Sequence, residues 1–154
     1  MTTDFDFISA TDRPALVAIN NVELLGYARD TLTELGYKVH HIESHEEFST
    51  RFGEIQYQVL MLDESFGGDT SANPTLQTLQ NMGMNQRRHA TIILLGENFE
   101  TLNAMQAFQK SVHAVINYSE LNLLPQLIQK VVSDNDVFLQ VFRETIRRVA
   151  QQGT

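Results

Sequence analysis

Cysteine is absent from the sequence, which removes disulfides, thiolate metal sites and a cysteine nucleophile together and fits a reducing compartment. Basic residues are scarce. The 11 Lys and Arg stand against 19 Asp and Glu, and the resulting formal charge of −8 repels phosphate backbones. Arg87-Arg88-His89 and the trio Arg143, Arg147 and Arg148 are too small to form a basic patch and read as solvated surface. No apolar run approaches the ~20 residues that cross a bilayer, and the amino terminus lacks the basic-then-apolar opening of a signal peptide. A nucleophile elbow is missing, and Gly67-Gly68-Asp69 has neither the lysine nor the spacing of a phosphate loop. These absences lead us to expect a cytoplasmic protein that is not an enzyme and that contacts neither membrane nor nucleic acid directly.

What is present is the material of one globular domain. Its 154 residues are 42% apolar and 19% charged. A chain of this length buries roughly 68–70% of the surface it exposes when unfolded. Residues 1–12 mix acids and hydroxyls with Phe5, Phe7 and Ile8 and read as a flexible leader. Five short apolar runs follow, at residues 15–19, 38–42, 58–62, 91–95 and 114–116, each the length of a strand.

Helical spacing fills the intervals. Leu25, Ala28, Leu32 and Leu35 mark a first helix stopped by Gly36, and Ser44 with Glu47 caps a second that buries Phe48 and Phe52. Asn73-Pro74 opens a third, presenting Leu76, Leu79, Gln80 and Met82. A fourth is expected over residues 99–109 with Leu102, Met105 and Phe108 on one side. A fifth follows Ser119 with Leu121, Leu124, Leu127, Ile128 and Val131. Nearly continuous apolar strands alternating with helices indicate an α/β, doubly wound, five-stranded parallel sheet. Residues 133–154 add an amphipathic stretch with Phe138, Val141, Phe142, Ile146 and Val149 on its stripe. It is either a sixth helix opened by Ser133-Asp134-Asn135-Asp136 or a continuation of the fifth.

In a doubly wound sheet the working crevice lies beyond the carboxyl ends of the strands. The third strand ends there on Asp63 and Glu64, whose side chains should face opposite ways. An acid at such a place also serves as a turn former that accepts loop N–H groups. His40, His41 and His45, with Glu43 and Glu46 nearby, straddle a strand and a helix and read as surface histidines, not as a metal site.

The opening "ALVAINN", the segments "LTELGYKV" and "YQVLMLDES" and the close "HAVINYSELNLLPQLI" together resemble the receiver domain of two-component response regulators over residues 13–132. The resemblance implies a flavodoxin-like strand order of 2-1-3-4-5 and an aspartate, here Asp63, that accepts a phosphoryl group with Mg²⁺ held by neighbouring acids. Much of that apparatus is replaced. Ile19 and Asn20 stand where an acid pair is implied, Gly96 replaces a hydroxyl residue, Asn117 a lysine, and Ala114 an aromatic switch. Shifting the fifth strand by one residue gives Tyr118, again not a lysine. Phosphoryl transfer needs cations to neutralise its transition state, so a lone Asp63 is poorly equipped.

The sequence therefore points to a pseudo-receiver, a signalling domain acting through protein contacts and needing no cofactor. The resemblance implies that its partner surface lies on the fourth helix, fifth strand and fifth helix, with Asn103, Gln106, Gln109, Tyr118 and Gln126 as candidate contacts. The Phe138 to Val149 stripe serves as a dimer seam or as a helix leading to an output domain. One rival is an atypical receiver phosphorylated on Asp63, with Mg²⁺ held through Glu43 or Glu97. Another is a flavodoxin-like small-molecule sensor using the same crevice.

Overall fold

The computed structural model describes residues 8–68 and 73–152. Five parallel strands, β1 (Pro14–Ala18), β2 (Lys38–Ile42), β3 (Val59–Asp63), β4 (Thr91–Gly96) and β5 (Ala114–Asn117), form one sheet of order β2-β1-β3-β4-β5. Strands β1, β3 and β4 are buried at every position, as expected where helices cover both faces of a parallel sheet.

Alternation along each strand divides the core. Leu16, Leu60, Leu62, Ile92 and Leu94 face α2 (His45–Glu54), α3 (Pro74–Asn81) and α5 (Ala104–Lys110), and they pack with Phe48, Leu79 and Ala107. Ala15, Val17, Ile19, Met61, Ile93 and Leu95 face α1 (Val22–Glu34) and α6 (Leu124–Gln152), and they pack with Leu24, Ala28, Leu32 and Ile128. This is the doubly wound architecture the sequence predicts.

Asparagine opens three of the helices on the crevice side, and Ser44 opens α2. Asn21, Asn73 and Asn103 accept the N–H of Leu24, Leu76 and Gln106 at 2.9, 3.0 and 2.9 Å. Each satisfies a backbone donor that the helix itself leaves unpaired.

Several expectations are corrected. The helix predicted over 99–109 is the shorter α5, and its buried face is Ala107. Met105 and Phe108 point to solvent, at 64% and 79% exposure. Leu102 adopts a left-handed φ of 63° while its N–H bonds to Val115 O, so helical geometry begins only after the Asn103 cap. The inward face of α1 includes the buried Leu24 beside Ala28 and Leu32, with Leu25 and Leu35 partly buried against the same core. A four-residue helix unmarked in the sequence, α4 (Met84–Arg87), precedes β4.

The open question at residue 133 resolves into continuity, because α6 runs unbroken for 29 residues. Asn135, which reads as part of a new cap, is buried within α6 and donates to Thr91 Oγ1 at 2.9 Å. Long as it is, α6 is not apolar enough to cross a membrane, and neither is any other helix among the described residues.

Arg87 is likewise not solvated surface. Its exposure is 7%, and its guanidinium donates to Leu79 O at 2.7 Å and to Ser111 O, joining the end of α3 to the end of α5. Burial lowers its pKa from the ordinary arginine value.

Nearby, His113 Nδ1 accepts the Ile92 N–H at 2.9 Å, a bond that protonation would break. Desolvation, with the Arg87 charge second, holds this imidazole at a pKa of about 4. A folded pKa below the unfolded value means that the unfolded chain binds protons first. Stability from this group is therefore complete above about pH 6.5 and lost as pH falls toward 4. More than a third of the residue is exposed, so screening keeps the effect modest. Urea midpoints measured from pH 7 to pH 4 should fall less steeply in His113→Gln than in the natural chain.

Candidate functional site

At the carboxyl ends of the strands, Asp63 closes β3 with 2% exposure, and its carboxylate is already engaged. Oδ1 accepts the Tyr118 hydroxyl and the Ser65 N–H at 3.3 Å, while Oδ2 accepts the Ser65 hydroxyl at 3.0 Å. Its backbone carbonyl takes the Phe66 N–H at 2.9 Å and the Asn73 amide at 3.3 Å. The turn-forming role of such an acid is thus realised, with a tyrosine added. Tyr118 lies on the 3-10 segment Tyr118–Leu123 that follows β5. Burial, and next the hydrogen bond to Asp63, push its phenol above the usual tyrosine range. Sequence reasoning placed Tyr118 on a partner surface; it instead turns its hydroxyl into the crevice.

The other crevice positions serve the scaffold. Ile19 follows Ala15 and Val17 on the α1/α6 side and is wholly buried there. Asn20, exposed, donates to Glu43 O at 3.0 Å and accepts the Gly67 N–H at 2.9 Å, tying the loop after β2 to the loop after β3. Asn117 donates to Glu97 O and Phe99 O at 3.0 and 2.7 Å and caps the 3-10 segment through Ser119 N–H. Gly96 lies under the Phe99 ring, where a Cβ would come within 2.6 Å of it, so a serine or threonine would require the ring to move. Ala114 is a buried core residue opposite Ile93.

Glu64 turns away from Asp63 toward Gly96, and partial desolvation raises its pKa. These residues do not fit a Mg²⁺ site: one implied acid position is an apolar plug, the other is an amide already used twice, and Asp63 receives three donors. No group of three acidic or histidine side chains placed to hold a metal exists among the described residues. The histidines diverge. His40 is buried, correcting its surface reading, with Nδ1 2.7 Å from the Tyr57 hydroxyl, whereas His45 Nδ1 lies 3.0 Å from Thr75 Oγ1.

A cavity of about 490 Å³ opens over Asp63, walled by α1 residues including Glu23, Leu24 and Tyr27 and by Tyr118 and Leu121. The remaining candidate contacts do not form one polar face. Asn103 caps α5 and donates to Glu100, and Gln106 accepts the Glu100 N–H at 2.7 Å; only Gln109 and Gln126 are freely exposed. Large apolar side chains are exposed beside them: Met105 and Phe108 on α5 and, on α6, Phe138 at 64%. Asn103 as a cap was the signal that would have placed α5 correctly and shown Met105 and Phe108 to be exposed. Val141, Phe142, Ile146 and Val149 continue the exposed stripe along α6.

No protein-family model matches the chain, and no curated protein matches it. Its architecture is the receiver-domain fold. Among solved structures it is similar to the signal receiver domain of a LuxO repressor protein from Vibrio parahaemolyticus, at TM-score 0.64 and 13% identity, covering 84% of this chain and 97% of that one. It is similar also to the chemotaxis response regulator CheY4 of Vibrio cholerae, at TM-score 0.61 and 14% identity over 79% and 99%. NtrX from Brucella abortus matches at TM-score 0.66 and 11% identity, over 86% of this chain but only 29% of that protein.

Proposed function

We propose that the chain is a pseudo-receiver, a signalling domain that works through protein contacts and not through an acyl phosphate on Asp63. One observation carries this reading: the Asp63 carboxylate is buried and held by the Tyr118 and Ser65 hydroxyls, with none of the cations that an incoming phosphoryl group would require among the residues lining its cavity. Tyr118, neutral and raised further from ionisation, supplies a hydrogen bond but no positive charge. The rival with Glu43 or Glu97 as metal ligand has no cluster of ligating side chains to support it among the described residues.

Contacts with a partner protein, an output domain or a second copy would use the exposed apolar side chains of α5, Met105 and Phe108, and the stripe along α6 that begins at Phe138. Beryllofluoride with Mg²⁺, titrated while amide shifts are followed by NMR, tests the reading. No saturable shift is expected at residues 63–65 or 118; saturation there at millimolar Mg²⁺ would overturn it.

A further inference from the structure

We propose that the cavity over Asp63 binds a small organic cation, a protonated amine on an apolar body, with the amine against the Asp63 carboxylate and the body between Tyr27, Tyr118 and the flanking leucines. This rests on the reading that Asp63 carries no phosphoryl group in its working state.

Charge is the first argument. An ionised carboxylate offers about four lone-pair directions, and the Tyr118 hydroxyl, the Ser65 N–H and the Ser65 hydroxyl occupy three. All three donors are neutral. No Lys, Arg or His lines the cavity, so a carboxylate with 2% exposure has no cationic partner there. Buried charges are ordinarily paired, and the cavity leaves room for a cationic partner from outside. Glu23 stands on the rim one helical turn before Tyr27, on the same face of α1, adding a second negative charge.

The walls select the kind of cation. The lining includes the aromatic residues Tyr27 and Tyr118, a residue type that attracts ammonium groups, and the apolar Leu24 and Leu121. A hard divalent metal wants six or more oxygens, which this lining does not gather. Phosphates and nucleotides would meet two carboxylates and no compensating cation. The volume of about 490 Å³ lies in the usual range for small-molecule pockets. Because the ligand would bridge α1 and the 3-10 segment that leads into α6, its binding would be felt at the root of the helix bearing the exposed stripe.

The test is a titration of benzylamine into the isotopically labelled full chain at pH 7, with benzyl alcohol and benzoate as neutral and anionic matches. Saturable amide shifts are expected at residues 21–27, 63–65 and 118–121, with the alcohol and benzoate at least about tenfold weaker, the worth of a charge-assisted hydrogen bond. Asp63→Asn should abolish the response. Tyr27→Ala, at a 42% exposed position, should weaken binding about threefold to tenfold. An equal response to benzyl alcohol, shifts centred elsewhere, insensitivity to Tyr27→Ala, or no response to benzylamine would each overturn the site. Beryllofluoride and Mg²⁺ added to the same sample separate the two readings. Silence toward both probes removes the amine site alone, whereas a beryllofluoride response at residue 63 removes the pseudo-receiver reading on which it rests.

Discussion

An Ile19→Asp variant, which restores an acid at the position the receiver resemblance implies, is expected to lose about 4 kcal/mol of folding free energy. Ile19 has no exposed surface and continues the inward series Ala15, Val17 into the core between the sheet and α1. A carboxylate there would be a buried charge with no cation beside it. Asn20→Asp is the control, because residue 20 is exposed and its oxygen can still accept the Gly67 N–H. Only the bond to Glu43 O disappears, at about 1 kcal/mol. Urea denaturation of both variants measures the contrast. If Ile19→Asp unfolds within 1 kcal/mol of the natural chain and acquires Mg²⁺-dependent beryllofluoride binding, the crevice is a dormant phosphoacceptor and not a rebuilt one.

That contrast shows where the sequence could be read and where it could not. Strand positions were legible because a parallel sheet covered on both faces demands uninterrupted apolar runs, and the five runs stand out between polar helix surfaces, whereas the strand order was implied only by the receiver resemblance. Asp63 was legible as the acid at the end of the third run. Its partners were not. Whether Asn117 or Tyr118 reaches Asp63 depends on how far β5 extends before the 3-10 turn, a shift of one residue that composition does not fix. The face of α5 failed for a related reason. A step of three through Leu102, Met105 and Phe108 looks helical, yet Leu102 lies outside the helix with left-handed backbone, so the spacing crossed a boundary at which its geometry no longer applied. Asn135 was misread because a polar cluster inside a helix resembles a cap until its cross-sheet partner, Thr91, is known.

Removing the Tyr118 hydroxyl gives the second large effect. Tyr118→Phe is expected to cost about 2 kcal/mol, within the range for a hydrogen bond to a charged group, because the buried Asp63 carboxylate keeps only its Ser65 donors. Combining it with Asp63→Asn closes a double-mutant cycle. If the hydroxyl acts through the carboxylate, the double variant should lose less than the sum of the singles. The alkaline side gives an independent sign. The folded-state pKa of Tyr118 is raised, so above about pH 10 the unfolded chain releases its phenolic proton first and folding stability falls with rising pH. Tyr37, also raised by burial, is present in both proteins and cancels in the comparison. The natural chain should thus lose stability more steeply than Tyr118→Phe above pH 10, and parallel slopes would mean that the Tyr118 hydroxyl does not hold Asp63 in solution.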